Sequence, residues 1–217
     1  MLKMLMIAVL AVMVALASAC GGGGEEAAPV LSDADLKSIV TITSEALPWQ
    51  VTPETDSARS NEEASQGFAD PSKWLADYEK WGRTGGHVAT FTGQAVTVQA
   101  EAESYTSIGG AKEAFSAVRD FAESGEALSQ YASQGYAGVK IDKIDAAKVG
   151  DDSAAYQVTV NGQLYVSDTF VILFRRGAVV AQALVSAATT TSDSSAAGTV
   201  ANQMDGRIQS LLSSGQP

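Results

Sequence analysis

The stretch DSAAYQVTVNGQLYVSDTFVILFRRGAVVAQALVSA, residues 152–187, decides the fold. It divides into three runs, DSAAYQVTV, QLYVSDTFVILF and AVVAQALVSA, separated by Asn161-Gly162 and by Arg175-Arg176-Gly177. Asn-Gly is the strongest short hairpin signal, because both central residues of its turn take positive φ. The runs therefore predict a three-strand antiparallel meander. In the first, Tyr156, Val158 and Val160 alternate with Gln157 and Thr159, giving one apolar and one polar face. FVILF and AVVAQALV are apolar on both faces, which places those two strands centrally in a sheet covered from both sides.

Upstream, two further strands are predicted at 86–92 and 95–105, and a third at 138–144. In AVTVQAEAESY, Val96, Val98, Ala100 and Ala102 alternate with Thr97, Gln99, Glu101 and Glu103, so this strand should keep a wet face. The helix read from GGAKEAFSAVRDFAES turns Ala111, Ala114, Phe115, Val118 and Ala122 inward; small alanines on strand and helix would let the two approach closely. Residues 126–137 are looser, with a helical extension as one reading.

DPSKWLADYEKWGR predicts a helix with Asp70 as cap, Pro71 at its first position and Gly82 at its end. Trp74, Leu75, Tyr78 and Trp81 share one face of it, as a core stripe or as an aromatic ligand platform ending in Trp81. Before it, Ser32 caps a helix carrying Leu36, Ile39, Val40, Thr43 and Leu47 and ending at Pro48, although IVTIT would also suit a short strand. Residues 52–69 have no period and many turn formers, and read as a loop. A terminal helix, capped by Ser192 or Asp193, carries Ala197, Val200, Met204, Ile208 and Leu211. The sum is an α+β domain: a mostly antiparallel sheet of about six strands packed by helices, as an α-β-α sandwich or in two layers. This order of elements, over about 85–213, resembles the PsbP/Mog1-like domains of exported and lipid-anchored proteins. That resemblance implies an α-β-α domain used for binding and assembly rather than catalysis.

The N-terminus carries an address. MLKMLMIAVLAVMVALASAC has one charge, Lys3, then an apolar run and small residues Ala17, Ser18 and Ala19, the build of a secretory signal over residues 1–19. The run is short of the roughly 20 residues a spanning helix needs. Ala17-Ser18-Ala19 fits ordinary cleavage before Cys20, and LASAC also resembles the lipobox of bacterial lipoproteins, with Ala17 where Leu is preferred. The lipoprotein resemblance implies a diacylglycerol on the Cys20 thiol and a further acyl chain on its amine. Cys20 is the only cysteine, so plain secretion leaves a thiol without a disulfide partner, whereas lipidation uses it. Two or more chains anchor stably. Residues 20–31, with GGGGEEAAPVL after the cysteine, form a flexible tether of roughly 20 Å, and 32–217 a single domain. The expected location is exported, lipid-anchored to the outer face of the cell membrane, or to the outer membrane where the host has one.

Composition narrows the chemistry. The formal charge of the whole chain is −11, and loss of the leader removes only Lys3 among charged residues. So acidic a surface, without a Lys/Arg cluster, excludes nucleic acid as a partner. The sole histidine, His87, reads as a solvent-edge residue; no His/Cys metal set, no cofactor loop and no G-x-S-x-G elbow accompany it, since YTSIGG has Tyr105 where the first glycine belongs. Arg175 and Arg176 at a hairpin tip are candidates to grip an anion, set against their service as a solubilising turn. Glu101 and Glu103 share a strand face, and paired carboxylates can hydrolyse glycosides. The reading is a noncatalytic, membrane-anchored module that binds a protein, lipid or other small ligand and uses no cofactor. The alternative is an envelope hydrolase using His87 or the Glu101/Glu103 pair.

Overall fold

The computed structural model describes residues 28–136, 138–146, 148–161, 166–187 and 194–214. The leader, Cys20, the glycines of the tether, Gly162 and the Ser192/Asp193 cap lie outside them. Leu31, at the expected end of the tether, is already buried in the core.

Ser32 caps α1 (Asp33–Val40) through a capping box, its hydroxyl accepting from the Asp35 amide while the Asp35 carboxylate accepts from the Ser32 amide. The helix stops at Val40 instead of running to Leu47. The β-branched run Ile39–Thr43 costs side-chain freedom in a helix, and Thr41 is extended. Gln203 instead binds the Thr43 amide and carbonyl, at 3.1 and 3.3 Å, and a 3-10 turn follows at Ser44–Ala46.

The expected loop at 52–69 holds two elements, β1 (Val51–Arg59) and α2 (Asn61–Ser65). β1 is an edge strand whose residues are exposed on both faces from Thr52 to Ala58, so no alternation marks it. Pro53 is tolerated there beside a register shift between Pro53 and Thr55. The remaining order is α3 (Pro71–Trp81), β2 (Arg83–Gly93), β3 (Val96–Tyr105), α4 (Ile108–Ser124), α5 (Glu126–Ser133), β4 (Val139–Lys143), β5 (Asp152–Asn161), β6 (Val166–Arg176), β7 (Val179–Ala187) and α6 (Ser194–Ser214). The looser stretch after α4 is thus a separate helix, turned by Gly125 at φ +79°.

The sheet has seven strands, one more than expected, in the order β1-β2-β3-β7-β6-β5-β4, and every neighbouring pair is antiparallel. β7 is central with β6 beside it, as their two-sided apolar sequences require. Helices cover both faces. Leu36, Ile39 and Val40 of α1 and Ala197, Val200, Met204 and Ile208 of α6 pack on Val98, Ala100, Ile172, Phe174 and Ala183. On the opposite face, Trp74, Tyr78 and Trp81 of α3, Phe115 and Phe121 of α4 and Tyr131 of α5 pack with Tyr105, Tyr156, Val171, Leu173 and Leu184. The architecture is an α-β-α sandwich.

One expected contact is reversed. Ala100 and Ala102 face α1 and α6, while Ala111 and Ala114 of α4 belong to the other core. The polar face of β3 therefore points toward α2–α4, and Glu101 is 6 % exposed instead of solvated.

Candidate functional site

The sidedness of β3 creates a cleft between the sheet and the helices α2–α4, with a free volume of about 40 Å³. Glu101, Glu103 and Gln182 contribute its polar side, and Ala64, Phe68, Tyr78, Val118, Leu173 and Val180 its apolar walls. Glu101 and Gln182 are register partners across β3 and β7, so both side chains rise from the same face. Phe68 stacks on Trp74 with ring centroids 3.5 Å apart, which fixes one wall against the aromatic core of α3.

Two ion pairs serve this cleft: Arg59, Glu101 and Glu103 line it, and Arg83 pairs Glu103 without lining it. Arg59, at the end of β1, donates through Nη1 to Glu101 Oε1 at 3.1 Å, and Gln182 Nε2 donates to Glu101 Oε2 at 2.6 Å. Arg83, the first residue of β2, donates through Nε to Glu103 Oε1 at 3.0 Å, and the Tyr105 hydroxyl donates to Glu103 Oε2 at 2.7 Å. The Arg83 side chain is fully buried. Its Nη1 donates to Asn61 Oδ1 and to the Arg59 carbonyl, at 2.7 and 3.3 Å, and its Cζ lies 4.8 Å from the Tyr78 ring centre. Gly86 makes room for this guanidinium: a Cβ there would come within 2.4 Å of Arg83 Nη2.

Burial and the neighbouring Glu103 push the Glu101 carboxyl above the usual range, with Arg59 and Gln182 opposing them. Burial acts against the charge of Arg83, but Glu103 and the surrounding groups outweigh it and hold the guanidinium protonated. Burial and Glu103 raise the Tyr78 and Tyr105 hydroxyls, so both stay neutral donors. The cleft thus has a polar side in which each carboxylate oxygen already accepts a hydrogen bond. Two buried polar atoms beside it have no hydrogen-bond partner among the described residues, Gln182 Oε1 and Arg83 Nη2.

The remaining candidates lie elsewhere. His87 is on β2 but faces α1, on the other side of the sheet, and is 3 % exposed instead of standing at a solvent edge. Its Nδ1 meets Asp33 Oδ1 at 2.8 Å and its Nε2 meets Asp56, which Lys37 also pairs. Both ring nitrogens are thus engaged by carboxylates, and neither is open to a serine or a metal. Among the described residues, no group of three or more His, Cys, Asp and Glu is placed to hold a metal ion.

Arg175 and Arg176 are spoken for as well. Arg175 donates to Asp152, Asp151 and the Gly177 carbonyl, and Arg176 makes a bidentate pair with Asp205 at 2.8 and 2.7 Å while also reaching Asp151. These contacts staple the β6–β7 turn to the start of β5 and to α6, and leave no open guanidinium for a free anion. Trp81 is in the α3 core, edge-on to Trp74 and Tyr78, and does not line the cleft; Tyr78 does. Of the candidate catalytic and ligand residues singled out in the sequence, Glu101, Glu103 and Tyr78 line this cleft. Arg59, Arg83, Gln182 and Tyr105 were missed. A usable signal existed for one of them, since Gln182 is the sole polar residue in the apolar run AVVAQALV.

No protein-family model matches the chain, and no curated protein matches it in sequence. Among solved structures, the extracellular domain of PknH from Mycobacterium tuberculosis superposes with a TM-score of 0.52 at 12 % identity, covering 84 % of this chain and 98 % of that one. At that identity the likeness is one of fold. The resemblance to PsbP/Mog1-like domains rests on element order alone. No described helix is long and apolar enough to cross a membrane.

Proposed function

We propose that this chain is an extracytoplasmic, noncatalytic binding module, anchored to a membrane through lipid on Cys20, that receives a small ligand in the cleft between the sheet and α2–α4. One observation carries the reading: a built cleft whose ionic groups are paired internally, beside apolar walls and a buried acceptor with no partner. Such a site offers shape and hydrogen bonding while keeping its carboxylates occupied, which suits holding a ligand over transforming it. Its 40 Å³ has room for roughly three water-sized groups, the size of a ligand head group. The extracellular origin of the similar fold agrees with an exported location, as does the signal-like leader.

A hydrolase reading has one observation in its favour. Glu101 and Glu103 line the same cleft, and burial lifts Glu101 in the direction a general acid needs. Against it, all four carboxylate oxygens are engaged by Arg59, Gln182, Arg83 and Tyr105. A fragment screen followed by amide chemical shifts separates the two. Binding without turnover, with saturable shifts at Phe68, Glu101 and Gln182, supports the module. Hydrolysis of an aryl glycoside that Glu101→Gln abolishes replaces it with the enzyme. The anchor is tested by intact mass after expression in a bacterial host: acyl mass on the wild-type chain and none on Cys20→Ala is expected, and an unmodified Cys20 refutes it.

A further inference from the structure

Resting on the reading of the cleft as a ligand site, we infer that its ligand presents an uncharged hydrogen-bond donor, an amide or hydroxyl group on a short apolar body. Three features lead there. First, the charges are balanced: Arg59 pairs Glu101 and Arg83 pairs Glu103. A third ion brought between these pairs loses its hydration and gains no counter-charge, so cations and anions are both disfavoured.

Second, the polarity of the free atom is fixed. The Gln182 amide is oriented by Glu101, because a carboxylate accepts only and the nitrogen must face it. The oxygen left over, on a residue that is 9 % exposed, is buried without a partner among the described residues and is an acceptor. A buried acceptor without a partner calls for an N–H or O–H donor, and Gln182 lines the cleft.

Third, the space and walls set the size. A volume of 40 Å³ holds roughly three water-sized groups, enough for an amide or hydroxyl head. Phe68, Val118, Leu173 and Val180 are the apolar walls of the same cleft and would meet the apolar part.

The test uses the mature chain carrying Cys20→Ser and four probes of matched length: butyramide, 1-butanol, butylammonium and butyrate. Chemical shifts of the Gln182 side-chain amide and of the Phe68 backbone report occupancy. Butyramide and 1-butanol should saturate both signals at millimolar concentration, with the two ions at least about tenfold weaker, butyrate because it has no donor for Gln182 and butylammonium because its lost hydration meets no counter-charge. Gln182→Leu should weaken butyramide about tenfold. Because that variant also strips a donor from Glu101, Val118→Phe provides a second check on the cleft wall, and it should abolish the shifts of every probe. Equal binding of the ions, or saturation that survives Val118→Phe, overturns the inference. When other fragments shift the same residues while the neutral probes do not, the ligand class falls and the cleft reading stands. When no fragment shifts them, both fall.

Discussion

Replacement of Arg83 by methionine tests whether the two buried ion pairs organise the cleft. The Arg83 side chain is fully buried and Glu103 is 13 % exposed, so neither can turn to bulk water when its partner goes. Arg83→Met removes the bonds to Glu103, Asn61 and the Arg59 carbonyl, and leaves a carboxylate held only by the Tyr105 hydroxyl. Breaking a buried pair from one side costs about 3–5 kcal/mol. That is a large share of the roughly 5–15 kcal/mol by which domains are stable. Removing the whole network has a different sign. Arg83→Met/Glu103→Leu/Tyr105→Phe deletes both charges, the hydroxyl that donates to Glu103 and the orphaned Arg83 Nη2, whose desolvation alone costs about 1–3 kcal/mol. The triple variant should therefore return to within about 1 kcal/mol of the wild type or exceed it. Urea unfolding followed by tryptophan fluorescence reads both, with an unchanged slope certifying that only stability moved. A triple variant as unstable as Arg83→Met alone, or a single substitution costing less than about 1 kcal/mol, refutes the reasoning.

Three further outcomes follow from particular atoms. Ala95 sits at φ +61° in the β2–β3 turn, so Ala95→Gly should relieve roughly 1–2 kcal/mol of left-handed strain, less about 0.5–1 kcal/mol for glycine's extra chain entropy, and raise Tm by one or two degrees in calorimetry. Gly110 lets α4 meet the end of α3. A Cβ there would lie 2.0 Å from the Trp81 carbonyl oxygen, and Gly110→Ala should cost about 3 kcal/mol in urea unfolding. The buried carboxylates should titrate in opposite senses. Burial raises Glu101 above its ordinary 4.5, so its contribution is fully present below that pH and is lost as pH rises through the higher folded value. Glu101→Gln should accordingly be less costly at pH 7 than at pH 4. Burial acts against ionisation of Asp205, but Arg176 and Gln209 overcome it and hold its carboxyl below 3.8. Its contribution is present above that pH and lost on further acidification, so Asp205→Asn should cost about 2 kcal/mol at neutral pH and progressively less below pH 3.

What the sequence revealed of this fold depended on periodicity. The two-sided apolar runs at FVILF and AVVAQALV placed β6 and β7 correctly in the middle, and the stripe of Trp74, Tyr78 and Trp81 found α3 with both of its caps. Where a strand touches the core on neither face, the period vanishes. That is the case for β1, exposed from Thr52 to Ala58, and it read as loop. A different signal was available for α2: Ser60 and Glu63 form a capping box, and the spacing S-x-x-E stands in SNEE. His87 was misread for another reason. Its surroundings, Asp33 and Asp56, come from a helix and an edge strand distant in sequence, and a single residue carries no trace of such partners.

The same missed segment decides the character of the site. On β3 alone, Glu101 and Glu103 are the wet half of an alternating strand, and nothing local distinguishes them from a solvated surface. β1 and α2 change that by supplying Arg59, Ala64 and the approach to Phe68, which close over the carboxylates from the side. α2 also brings Asn61 onto Arg83, completing the second pair. Covering two carboxyl groups calls for counter-charges, and Arg59 and Arg83 provide one each. The internal pairing that makes the cleft affordable is also what removes its power to attract ions. On the proposed reading, specificity then falls to the Gln182 amide oxygen, which accepts from no described neighbour, and to the apolar walls of the cleft.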